Sequence, residues 1–247
     1  TVFTDAPALP ATGSVTFSYE VRWAGTTVTP VPARVTLTGA SGSDLSTDLV
    51  LDPPFDGNSQ DASPRGNHAT VTGTAGYTAG RTGQALVLSG AQYATLPATY
   101  TDLKFGADTS FTIAFWILAP TQWTSDPVLI SNKNWNSGSN AGWAIACQSN
   151  AANNNTWQWN LKGALLTRKD FDSGGVIRTG SWHHIAISHN RTGNADFYAD
   201  GVPLGSVALS GAGDVDTAFP IQIGRDGNGG NALNDTMAMD DLKIWRR

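Results

Sequence analysis

Of the twenty acidic residues in this 247-residue chain, nineteen are aspartate, and Glu20 is the only glutamate. Glutamate is a good helix former, whereas aspartate competes for its own backbone and settles in turns and caps. Threonine, valine, asparagine and tryptophan are plentiful beside 27 glycines, and there are only two methionines. These are the residues of strands joined by turns and loops. The apolar fraction of 40% suffices for a core, and the length suits one large all-β domain or one domain with a small appendage. Charged residues make up 14% and the net charge is −5, so there is no basic footprint for nucleic acid or an anionic membrane. No apolar run reaches the roughly 18 residues of a membrane span, and no signal peptide is visible. Cys147 stands alone in an apolar run, which excludes an intrachain disulfide and reads as a buried thiol.

Residues 1–46 differ from the rest. Val15-Thr16-Phe17-Ser18-Tyr19-Glu20-Val21-Arg22-Trp23 alternates apolar with polar or small residues, as a half-buried strand does. Arg34-Val35-Thr36-Leu37-Thr38 reads as another, with Pro30 and Pro32 marking a loop or edge between them. The stretch falls short of the roughly 100 residues of an independent sandwich. It is expected to be a hairpin with a linker, or the tail of a preceding domain, with Gly39 to Ser43 as a flexible joint. Residues 47–247 are expected to be the main domain.

In that domain Gly180-Ser181-Trp182-His183-His184-Ile185-Ala186-Ile187-Ser188 is followed by Phe197-Tyr198-Ala199-Asp200-Gly201-Val202, with Asp200-Gly201 placed as a hairpin turn. Met239-Asp240-Asp241-Leu242-Lys243-Ile244-Trp245 closes the chain as a last strand. Upstream stand Pro54-Phe55-Asp56-Gly57-Asn58, Asp61 to Ala69, Gly83 to Gly90 with Tyr93 to Leu96, and Ser110 to Ile117. In this order the segments resemble the laminin-G-like family of concanavalin A-like jelly rolls over roughly four-fifths of the chain. The resemblance implies an all-β jelly-roll sandwich of two antiparallel sheets. The family hosts lectins, carbohydrate-binding modules, adhesion domains and some glycan-cleaving enzymes, so it fixes architecture more firmly than function. Kinship to a mostly secreted fold, with low lysine and high asparagine and tryptophan, implies a secreted, extracellular protein.

Two groups of residues are candidates for a site. Asp56, Asn58, Asp61, Ser63 and Asn67 lie within one tight loop, offering the oxygen ligands that Ca²⁺ prefers. The resemblance implies that this loop meets an acidic residue of the final strand, here Asp240 or Asp241, around a structural calcium. The bland reading is that these Asp and Asn side chains cap turn backbones. A second loop, Asp226 to Asn231, lacks the terminal glutamate of a calcium loop and reads as a plain connection.

The second group would bind a glycan. Sugars stack their C–H faces on flat aromatic rings and hydrogen-bond planar amides and carboxylates. Nine tryptophans is a heavy load. Lys133, Asn134 and Trp135 sit in a polar loop that presents Trp135 to solvent. Trp157 and Trp159 share one strand face, with Gln158 and Asn160 on the other, and fit a core or a ligand platform equally. Trp123 also falls in a loop, and Arg168 lies just beyond a turn. Trp116, Trp182 and Trp245 fall within apolar strand patterns and read as core. His183 and His184, being adjacent in a strand, point to opposite faces and cannot grip one ligand.

Related glucanases use paired carboxylates on a glutamate-rich strand. One glutamate, far upstream, cannot supply that motif. Asp170-Phe171-Asp172 has same-face spacing but reads as a solvated strand end or loop. The sequence therefore points to a non-catalytic carbohydrate-binding module of a secreted, multidomain bacterial protein, its partners being a polysaccharide and a neighbouring catalytic domain. The alternatives are an adhesion or protein-interaction domain and, behind it, a glycan hydrolase or lyase.

Overall fold

The computed structural model describes residues 14–19, 33–38, 44–90, 92–135, 140–148, 156–164, 167–177 and 179–247. The chain divides into two compact units, Thr1–Thr47 and Asp48–Arg247. In the first, β1 (Ser14–Tyr19) and β2 (Ala33–Thr38) pair antiparallel, with Phe17 opposite Val35. The Glu20 to Trp23 end of the first expected strand and the Gly39 to Ser43 joint lie outside the described residues.

The second unit is all-β. Its strands are β3 (Leu49–Leu51), β4 (Thr70–Thr72), β5 (Gly76–Ala79), β6 (Gln84–Ser89), β7 (Tyr93–Leu96), β8 (Phe111–Leu118), β9 (Val128–Ser131), β10 (Gly142–Cys147), β11 (Thr156–Lys162), β12 (Lys169–Val176), β13 (His183–His189), β14 (Asn194–Ala199), β15 (Val202–Ala208), β16 (Ile221–Ile223) and β17 (Thr236–Trp245). One sheet runs β12-β11-β10-β9-β16-β7-β4. The other runs β15-β14-β13-β8-β17-β6-β5, with β3 added against β17. Every pairing is antiparallel, giving the jelly-roll sandwich that the sequence resembles.

Period-two alternation explains how the sheets meet. Along β8, Phe111, Ile113, Phe115 and Ile117 are fully buried, and β13 opposes them with His189, Ile187 and Ile185. From the other sheet come Trp143, Ile145 and Cys147 of β10 and Trp157, Trp159 and Leu161 of β11. Asp200 and Gly201 form the β14–β15 turn with φ of 51° and 77°, the pair of left-handed residues that a two-residue hairpin requires.

The tryptophans are distributed differently from the sequence reading. Trp123, Trp143, Trp157 and Trp159 are fully buried, and Trp123 is buried although it lies in a loop. Trp116 and Trp182 are only half-buried. Trp116 stands on the outward phase of β8, between the core residues Phe115 and Ile117. Trp245 packs with Leu49 and Ala114 in a separate small cluster rather than in the main core.

The paired histidines part as their strand position demands. His183 lies between Thr179 Oγ1 and Asp200 Oδ2, each at 2.7 Å. His184 turns to the outer face, its ring 5.0 Å from that of Trp116. Burial pushes Asp200 up, but the His184 N–H, the His183 ring and the nearby imidazoles outweigh it and leave the carboxyl below its ordinary value.

Candidate glycan-binding cleft and the aspartates of the last strand

On β11, Trp157 and Trp159 turn into the sandwich, which puts Gln158 and Asn160 on the outer face. Trp157 packs against Phe171 and Phe197, and Trp159 against Phe197 and His189. Both rings are buried, so neither serves as a ligand platform, and that expectation is corrected. Trp159 Nε1 donates to His189 Nε2 at 3.0 Å, and burial drives the His189 imidazole down to about 3.

The outer face of β11 continues onto β12, where Asp170 pairs with Asn160 and Asp172 with Gln158. Asp170 and Asp172 thus belong to a strand, not a loop. Together with Trp135, Gln148 and Arg168, these four side chains border a cleft of about 330 Å³. Arg168 Nε lies 2.7 and 2.8 Å from the two oxygens of Asp170. Of the six expected ligand residues, Trp135, Trp159 and Arg168 line the cleft, Trp159 with its ring buried in the core behind it. Lys133 lies beneath it and is completely buried, its Nζ donating to Asn160 Oδ1 at 2.7 Å. Burial lowers the Lys133 ammonium to about 8, with the Arg168 charge pushing the same way. Asn134 holds the loop, its carbonyl accepting from Asn140 Nδ2.

The cleft sits at one end of the sheet because the middle is covered. Ala144, Ala146, Ser131 and Gln222 have outward register positions yet are buried. Three loop segments close over them. Asn132 Nδ2 donates to Val215 O, Thr217 Oγ1 donates to Asn132 O, and Gln222 Nε2 donates to Gly227 O. The Asp226 to Asn231 loop is an organised support rather than a plain connection. Buried Asp226 accepts Asn228 N–H and Gly230 N–H on one oxygen, and Trp135 N–H and Asn231 Nδ2 on the other. It thereby ties down the backbone that carries Trp135.

The seven expected calcium ligands do not converge. Asp61 takes four donors on its two oxygens, from Asp52 N, Ser63 N, Ser63 Oγ and Asn67 N at 2.6–2.9 Å. Asn67 Nδ2 donates to Val50 O, and Asn58 bonds within its own turn. Asp61, Ser63, Asn67 and Asn58 are thus committed to the backbone, as Asx and Ser side chains in turns often are. Asp241, at φ 48° in a bulge of β17, pairs with Lys243, which also reaches Asp52 at 2.8 Å. Among the described residues no three His, Cys, Asp or Glu side chains form a cluster suited to a metal.

Asp56 and Asp240 remain, and they grip one turn. Asp56 Oδ1 accepts Gln84 N–H at 2.6 Å, while Asp240 Oδ2 accepts Arg81 and Thr82 N–H at 2.6 and 3.1 Å. The other oxygen of Asp240 is buried and has no hydrogen-bond partner among the described residues. Burial raises the Asp240 carboxyl despite the two N–H donors.

A larger hollow of about 440 Å³ lies on the second sheet, lined mainly by Val87, Leu118, Ala119, Pro120 and Ala238. It offers few polar groups to orient a sugar.

The two-sheet sandwich, with amides, carboxylates and an aromatic ring at one sheet end, has the fold shared by lectins and glucanases. The chain belongs to the laminin G-type family described as the concanavalin A-like lectin/glucanases superfamily, whose model matches residues 88–247. No curated protein matches in sequence. Among solved structures it is similar to the binding domain of Paraclostridial Mosquitocidal Protein 1, at TM-score 0.68 and 18% identity over 82% of this chain and 49% of that one. The binding domain of botulinum neurotoxin DC, solved in complex with SialylT, matches at TM-score 0.60 and 17% identity, over 82% and 48%. Domain 4 of AbnA, a GH43 extracellular arabinanase from Geobacillus stearothermophilus in complex with arabinotriose, matches at TM-score 0.58 and 20% identity, over 81% and 92%. The chain spans about half the length of the toxin domains and nearly all of the arabinanase domain. Identities this low carry the fold and not the ligand.

Proposed function

We propose that the second unit is a non-catalytic carbohydrate-binding module of a secreted protein and that it binds glycan in the cleft between Trp135 and β12. The observation that carries this reading is the cleft itself. Amides and carboxylates form its floor and edge, and a half-buried tryptophan stands at its border. Sugar hydroxyls need paired donors and acceptors, and a pyranose or furanose face needs a ring to lie against. A toxin binding domain and an arabinanase domain in complex with arabinotriose, both similar in structure, support the reading. The Asp170–Asp172 pair does not suit hydrolysis. A glycosidase needs one carboxyl free to hand a proton to the leaving oxygen, and both oxygens of Asp170 are engaged by Arg168 Nε. Affinity electrophoresis or calorimetry against a panel of oligosaccharides should show binding that Trp135→Ala weakens by about tenfold or more, the scale of one lost stacking contact. Binding that the substitution leaves unchanged removes Trp135 from the site.

The calcium reading narrows to Asp56 and Asp240, supported by the buried free oxygen of Asp240. A structural ion there would tie β17 to the turn before β6. If it is present, chelation lowers the melting temperature by several degrees and added calcium restores it. An unchanged melting curve dismisses it. A second reading, a protein-interaction domain, is favoured by the apolar hollow on the other sheet.

A further inference from the structure

We infer that the cleft selects uncharged glycans and turns away those bearing carboxylate or sulfate groups, an inference that rests on the glycan reading above. The charges that border the cleft among the described residues are Arg168, Asp170 and Asp172. Arg168, the cation of the three, is spent on Asp170, which it grips through both carboxylate oxygens. Asp172 is exposed on the same strand face and has no ion-pair partner among the described residues. Lys133 adds a positive charge from below, but its ammonium is buried and directed at Asn160 Oδ1.

That last contact also sets the polarity of the floor. An ammonium has donors only, so the Asn160 atom it meets must be the carbonyl oxygen. The Asn160 amide N–H₂ is then left to serve the cleft. Bound this way, Asn160 donates while Asp172 accepts. A sugar hydroxyl, which does both, can bridge the two. A ligand carboxylate or sulfate only accepts, and it meets the Asp172 charge while Arg168, the one cation lining the cleft among the described residues, is held by Asp170.

The test compares the full chain's binding to neutral oligosaccharides with binding to the same oligosaccharides carrying a uronate in place of one sugar. At low salt each neutral ligand is expected to bind about tenfold or more tightly than its uronate counterpart, as expected for like charges a few ångströms apart near a surface. The gap should narrow several-fold in Asp172→Asn and again at about 0.5 M salt, while neutral binding barely responds to salt. Uronate ligands that bind as well as neutral ones overturn the selectivity and leave the glycan reading standing. A gap that Asp172→Asn does not change overturns the role of Asp172. No binding of either ligand class overturns both this inference and the reading beneath it.

Discussion

His189 shows how much a single buried residue can decide. It is stacked on Phe111 at 3.9 Å and accepts the Trp159 indole N–H on Nε2, which leaves Nδ1 protonated to donate to the Phe111 carbonyl. Both ring nitrogens are therefore satisfied in the neutral tautomer. The folded imidazole titrates near 3, far below its ordinary value of 6.5, so in acid the unfolded chain takes up a proton that the folded chain refuses. Stability from this group is intact above about pH 6.5 and declines as pH falls toward 3, by up to about 1.4 kcal/mol per unit. Melting curves between those limits should be markedly steeper in pH for wild type than for His189→Gln. Equal slopes would remove His189 as the source. From sequence His189 is an unremarkable strand residue. Its neutral, doubly bonded state depends on Trp159 and Phe111, 30 and 78 positions away.

At the scale of elements, the loop from Asp226 to Asn231 is the support on which the cleft depends. One buried carboxylate organises the turn through Asn228 and Gly230 and fixes Trp135 through its backbone. Replacing Asp226 by Ala leaves several N–H donors without their acceptor, at a cost of about 1–3 kcal/mol. It should also loosen Trp135 and weaken ligand binding more than the change in melting temperature alone would. Full retention of affinity would separate loop from cleft. The strands themselves were legible: alternation placed β8, β13 and β17, and Asp200-Gly201 announced its hairpin. The phase of the tryptophans on those strands was not. Trp116 sits in an apolar run and Trp157 in an alternating one, yet it is Trp157 that the opposite sheet covers. Gln158, Asn160, Asp170 and Asp172 were visible as two same-face pairs, W-Q-W-N and D-F-D. What the sequence lacked was the register that sets the two strands side by side.

For the whole molecule, family and fold class followed from ordered motifs in the sequence. The site did not, because it is made where two separate decisions coincide. Strand pairing brings β11 and β12 together, and three loops cover the middle of the sheet beside them. Those loops occupy the space where a long chain would otherwise continue across Ser131 and Gln222. A polymer lying along the sheet would have to pass through atoms already packed there. A glycan held in the cleft as proposed would have a short footprint, one that does not extend onto Ser131 and Gln222.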